Sequence, residues 1–336
     1  MEDNFNIYTE ITPQVPKLYH YTSQAGLLGI VNHKQLWFTN IHYMNDSTEY
    51  SYSLQVIMDV IKDLYGFGED EKFLELFPNN EDIEPIFTFS LSENGDLLSQ
   101  WRGYCPNGGY SISFFNNQNF WQMSQMIKTN NLFIGECLYD KYRIEEFVKK
   151  KVVELVPEEF KARKEEEEKH GRLKGWLLKL YDKIIKNTLK YAPLIKHPAF
   201  QEEKEWRIVA NYAEHKNTLR IRLYKQDNIA NTLSVVQSLP FDDLFDKLVF
   251  RQGKSFLIPY LEIPLIETKE PFIITKEEAK AQISIIEVIV GPTPHKELSV
   301  RACELLLLKS NILLVQNNLS DKSTVVTPSM LPYRNW

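Results

Sequence analysis

The chain has 336 residues, enough for one large domain or two small ones at roughly 100–200 residues each. Hydrophobic residues make up 43% and charged residues 25%, so a sizeable core can form; 39 basic against 45 acidic side chains give a formal net charge of −6, which disfavours broad nucleic-acid binding. Cys105, Cys137 and Cys303 offer no metal spacing or disulfide framework, the start Met1-Glu2-Asp3-Asn4 is acidic and polar, and no apolar run approaches the ~20 residues of a spanning helix. The expectation is a cytoplasmic protein without a membrane partner.

Residues Lys17 to Thr22 alternate as a short strand, and Ser23 is placed to cap a helix over Gln24 to Asn32. Gln35 to Thr39 is a second extended run. Asp46 and Glu49 are spaced as a capping box for a helix that continues through Leu54, Ile57, Met58 and Ile61, one apolar stripe at helical spacing. A strand follows over Ile86 to Leu91, and Asp96 can cap a short helix through Trp101. Asn107-Gly108-Gly109 is a turn, since asparagine and glycine accept positive φ, and it launches the alternating strand Tyr110 to Phe114.

From about Lys141 to Tyr191 the pattern becomes helical. Ile144, Phe147, Val148, Val152 and Leu155 mark one amphipathic helix; Leu173, Trp176, Leu177, Leu180 and Ile184 mark another. The charged run between them, with Glu165–Lys169 and Glu168–Arg172 four apart, reads as a solvated helical face. Strands return at Glu205 to Tyr212, Thr218 to Tyr224, Leu248 to Arg251 and Ile258 to Leu265. Ile283 to Val290 then leads into Gly291-Pro292-Thr293-Pro294, where Thr293 can cap a helix and Pro294 open it. A helix through Leu305 and a strand over Ile312 to Gln316 follow. Together these elements predict a single α+β domain over 1–336, with a split, mostly antiparallel sheet and a helical insertion at about 141–196.

Three segments concentrate polar chemistry. In Leu18-Tyr19-His20-Tyr21-Thr22-Ser23 an imidazole and hydroxyls stand at a strand end before a helix N-terminus, which suits an anion or a ribose. Around Ser90, Arg102 and Tyr110, aromatic faces can stack on a flat ring and arginine can pair with a phosphate. In Glu203-Lys204-Glu205-Trp206-Arg207 an extended chain would turn both glutamates and Arg207 to one side, with Trp206, Ile208 and Ala210 on the other, in the core. Two carboxylates and an arginine on one face belong in a polar cleft or on a solvated edge. No two histidines stand four apart around an acid, so a zincin-type metal site is not expected, and ATPase and serine-hydrolase motifs are absent.

These motifs, with Met44-Asn45-Asp46, Phe89-Ser90-Leu91-Ser92, Ser99-Gln100-Trp101-Arg102-Gly103-Tyr104, Gly109-Tyr110, Pro259-Tyr260 and Val290-Gly291-Pro292, resemble an uncharacterised bacterial domain-of-unknown-function family. More distantly, the opening of strand, His, Thr or Ser, helix and short strand resembles ADP-ribosyltransferases, including toxins that modify nucleic acid. That resemblance implies an ADP-ribosyltransferase-like fold, with NAD as substrate and an unknown protein or nucleic-acid acceptor. It implies that His20 holds a ribose hydroxyl, Tyr110 stacks on nicotinamide, Glu205 bonds the nicotinamide ribose and Glu203 orients the acceptor. Thr22, Ser23, Ser90 and Arg102 would complete the nucleotide site, with Arg102 on the pyrophosphate. The implied function is an NAD-cleaving transferase or glycohydrolase, a toxin or antiphage effector. The rivals are a non-catalytic nucleotide- or protein-binding module, and a metal-dependent nuclease effector using Glu203, Glu205 and Asp96.

Overall fold

The computed structural model describes residues 7–9, 12, 14–44, 47–65, 86–114, 121–155, 188–211, 248–253, 255–265, 284–310, 313–314 and 326–332. The strands are β1 (Ile7–Tyr8), β2 (His20–Ser23), β3 (Gln35–Asn40), β4 (Ile86–Ser92), β5 (Gly109–Ser113), β6 (Phe133–Glu136), β7 (Glu205–Asn211), β8 (Leu248–Gln252), β9 (Leu257–Pro264), β10 (Ser284–Ile285), β11 (Glu287–Val290), β12 (Leu313–Leu314) and β13 (Val326–Pro328). The helices are α1 (Gln24–His33), α2 (Ser47–Tyr65), α3 (Leu98–Tyr104), α4 (Trp121–Thr129), α5 (Lys141–Leu155) and α6 (Lys296–Lys309).

Seven strands pair in the order β1-β6-β7-β4-β3-β9-β8, all antiparallel, and four in the order β13-β11-β5-β2, where only β11 and β13 run parallel. A short parallel pair, β10-β12, stands apart. The expected α+β class with two mostly antiparallel sheets is what forms. Tyr19, just before β2, bridges Ser92 at the end of β4, with both backbone bonds at 2.8 Å. The two sheets are stitched at this point.

Strand alternation explains the layering. Register puts Leu36, Phe38, Phe87, Phe89, Leu91, Trp206, Ile208 and Ala210 on one face of the larger sheet, and all lie in the main core. The opposite face carries Trp37, Thr39, Thr88, Ser90, Ser92, Arg207 and Glu205. There α2 and α5 supply a second apolar cluster, in which Ile57, Ile61, Ile144, Phe147 and Val148 pack against Phe133 and Val209. That part of the expected insertion is thus built into the core; its second helix and charged run, like the strand expected at Thr218 to Tyr224, lie outside the described residues.

Local expectations fare unevenly. Ser23 caps α1, its Oγ accepting from Gly26 N at 3.2 Å. Asp96 does not cap α3, whose cap position is Leu97; its carboxylate accepts from Trp101 Nε1, the Ser329 hydroxyl and Met330 N at 2.6–2.7 Å. Thr293 turns its hydroxyl to His295 N and α6 begins only at Lys296, because the two prolines hold the chain in a turn before it. Glu49 turns inward to Arg207, while Asp46, its partner in the expected capping box, lies outside the described residues.

Candidate functional site

A cleft of about 580 Å³ opens where the sheets meet, within the ~300–1,000 Å³ typical of small-molecule sites. His20, Thr22 and Ser23 line it from β2, Thr88 and Ser90 from β4, and Glu203 and Glu205 from the turn into β7. The stitch explains the convergence. Ser92 bridges Tyr19 and is also the register partner of Glu205, so His20 and Glu205 are brought close by backbone pairing alone.

His20 stacks on Phe89 with ring centroids 4.2 Å apart, and its Nδ1 is 2.9 Å from the Ser90 carbonyl oxygen. A carbonyl only accepts, so Nδ1 carries the proton and Nε2 is left as an acceptor. Burial lowers the imidazole to about 4, against which the Ser90 bond works only partly. The ring is therefore neutral near pH 7.

Glu205 is 5% exposed and its two oxygens are held from two sides. Arg207 Nε donates to Oε1 at 2.8 Å and its NH2 to Oε2 at 3.1 Å, while Lys196 Nζ reaches Oε2 at 2.5 Å. Burial alone would raise the carboxyl, but Arg207 and Lys196 outweigh it and hold Glu205 down at about 2. The Glu205 backbone N–H donates to the Tyr139 hydroxyl at 2.9 Å. Lys196 also donates to Glu203 at 2.8 Å and lies over the Phe200 ring at 5.0 Å. Glu203 stands otherwise: burial raises it, Lys196 only partly opposing, so it is the more readily protonated of the pair. Glu49, from α2, pairs with Arg207 at 2.5 Å and sits 4.0 Å from Lys196. Three carboxylates thus share two buried cations, and removing one partner would leave an uncompensated charge.

The glutamates converge for a reason other than the one expected. Residues Pro198–Glu203 form a 3₁₀ turn, and Lys204 adopts φ +41°, a left-handed conformation costly for a side chain with a Cβ. This kink turns the chain from the 3₁₀ segment into β7, so Glu203 and Glu205 meet over Lys196 rather than along one extended strand. Ser92 Oγ ties the Glu203 carbonyl at 2.8 Å, and Glu93 N ties that of Lys204 at 3.2 Å.

Arg102 and Tyr110 are not in this cleft. They line a second one of about 340 Å³, with Gln24, Trp101, Gly108 and Pro292. The reason is topological: β5 is an inner strand of the smaller sheet, and β2 stands between it and the junction. The aromatic rings at the first cleft instead include Tyr19, Tyr21, Trp37, Tyr43, Phe89, Tyr104 and Phe200. Sequence reasoning missed Lys196 and Arg251, which carry no motif, and read Glu49 as a cap. Among the described residues, no three or more His, Cys, Asp and Glu side chains are grouped to hold a metal ion, and no helix is long and apolar enough to cross a membrane.

Fold and site together define an α+β protein of two antiparallel-rich sheets, with a polar, ion-paired cleft at their junction. Residues 100–208, which include Gln100-Trp101-Arg102-Gly103-Tyr104 and Glu203 to Arg207, match the family described as "Protein of unknown function (DUF2971)". The expected likeness to an uncharacterised family holds over that segment. No match is found among curated proteins or among solved structures.

Proposed function

We propose that this cleft binds NAD and cleaves its nicotinamide–ribose bond, passing ADP-ribose to an acceptor on protein or nucleic acid, or to water. The observation that carries the reading is the junction itself: a neutral imidazole with a free acceptor nitrogen and an ionised buried carboxylate line one cleft, joined through Ser92. His20 Nε2 is suited to accept from a ribose hydroxyl. Glu205, itself buried, keeps its negative charge and opposes the positive charge that grows on the sugar as the bond breaks. The electron pair leaves with nicotinamide, and the acceptor's nucleophile bonds the anomeric carbon and gives up its proton. In this reading Glu203 takes that proton, supported by burial, which raises its carboxyl above the ordinary carboxylate value. Thr22, Ser23 and Ser90 add polar groups along the wall.

The test is release of free nicotinamide when the purified full chain is incubated with NAD and cell lysate. Glu205→Gln should lower that rate by about 10²–10³-fold, and His20→Ala should raise KM for NAD. Absence of nicotinamide release from protein that binds NAD would replace the proposal with the second reading, a non-catalytic nucleotide-binding module. That reading is favoured by one observation: both oxygens of Glu205 are already engaged by Arg207 and Lys196.

A further inference from the structure

At the other end of the same cleft the sheet presents a cation that pairs with no acid among the described residues. Arg251 stands on β8, the edge strand, and lines the cleft with Trp37, Thr39 and Tyr43. Register places it on the polar face: Arg251 is two residues from Val249, which pairs Tyr260, which in turn pairs Thr39. Its side chain crosses β9, with the guanidinium carbon 6.0 Å from the Tyr260 ring centre, and its NH2 makes a long bond of 3.3 Å to Thr39 Oγ1. Its Nε is buried without a hydrogen-bond partner. No carboxylate among the described residues pairs with it, and the nearby Glu262 accepts instead from the Tyr260 hydroxyl at 3.3 Å. A buried, unsatisfied donor on a cleft-lining guanidinium is costly unless something outside the chain completes it.

We propose that Arg251, with Thr39 and the face of Trp37, forms a phosphate-binding subsite for the diphosphate of a nucleotide. A guanidinium offers a planar fork matched to phosphate oxygens, and the Thr39 hydroxyl adds a donor beside it. The bond to Thr39 brings the fork over β3, two strand spacings or about 10 Å across the sheet from β7; Thr39 pairs Thr88 and Thr88 pairs Val209, so the fork also stands four residues, about 13 Å, along the strands from Glu205. The assignment moves the diphosphate role from Arg102, in the second cleft, to Arg251; it rests on the nucleotide reading of the cleft but not on catalysis.

The experiment is isothermal titration of the full chain with ADP and, separately, with adenosine. Wild type should bind ADP about tenfold or more tighter than adenosine, and Arg251→Gln should remove that advantage while leaving adenosine affinity unchanged. Arg251→Lys, which keeps the charge and loses the fork, serves if the glutamine variant misfolds, and should still weaken ADP more than adenosine. Equal binding of the two ligands, binding of neither, or wild-type ADP affinity in the arginine variants would overturn the subsite. The two proposals fail separately. If the ADP pattern holds but no nicotinamide is released, the reaction falls and the subsite stands. If nicotinamide is released and Arg251→Gln leaves KM for NAD unchanged, the subsite falls and the reaction stands.

Discussion

Glu49 shows how one side chain can belong to two stories. On the sequence its position three residues after Asp46 fits a capping box, yet in the fold its carboxylate meets Arg207, which is 1% exposed. Arg207 needs both Glu49 and Glu205, because a buried guanidinium without counter-charge is far more costly than a paired one. Glu49→Ala should therefore cost about 3–5 kcal/mol, read as a lower urea midpoint with an unchanged slope. Acid titration separates the two ends of the candidate site. His20 titrates in the unfolded chain near its ordinary 6.5 but in the fold only at about 4, so the unfolded state takes up the proton first. Stability should fall as pH drops from about 6.5 toward 4, and His20→Gln should flatten that part of a melting-temperature profile. Glu205 is held at about 2, below its ordinary 4.5, so its contribution is complete above the ordinary value and lost as pH falls toward 2. Glu203, raised by burial, works in the opposite direction, since protonation relieves it in the fold.

At the scale of elements, α1 and β7 position the cleft by different means. Helix α1 follows directly from β2, and its start depends on the Ser23 hydroxyl at Gly26 N. Ser23→Ala should cost about 1 kcal/mol by thermal or urea unfolding, since the freed N–H loses its side-chain partner. The entry to β7 depends instead on a left-handed Lys204, on Ser92 and on Glu93. Motif by motif, the strands β2 to β5, β7 to β9 and β11 and the Ser23 cap were legible because alternation and capping are local properties, whereas β1, β6 and β13 were not read. The 3₁₀ turn over Pro198–Glu203 was not, since the same residues in an extended chain would also put both glutamates on one side. Asp96 was misread for a related reason: its partners Ser329 and Met330 come from the far end of the chain.

For the whole molecule, the cleft is a seam between two sheets joined at the Tyr19–Ser92 bridge, with the buried charge cluster on the side of the larger sheet. A ligand that fills the seam touches both sheets and should stabilise them together. NAD at about 100 times its Kd is expected to add about 2.7 kcal/mol to unfolding, seen as a concentration-dependent rise in melting temperature. If melting does not respond to millimolar NAD, a nucleotide site in the seam is ruled out.

The amino-acid sequence by itself determined the α+β class, the strands that carry His20 and Glu205, and the apolar face of Trp206 and Ile208, because each follows from residue periodicity along a few neighbouring positions. Only the tertiary structure decided which polar groups share a cavity. It joined β2 to β4 through Tyr19 and Ser92, brought Lys196 and Glu49 to Glu205, and carried Tyr110 and Arg102 to another cleft. Strand order and sheet contact depend on pairing between distant segments, and the charge of a buried group depends on neighbours that no local pattern announces.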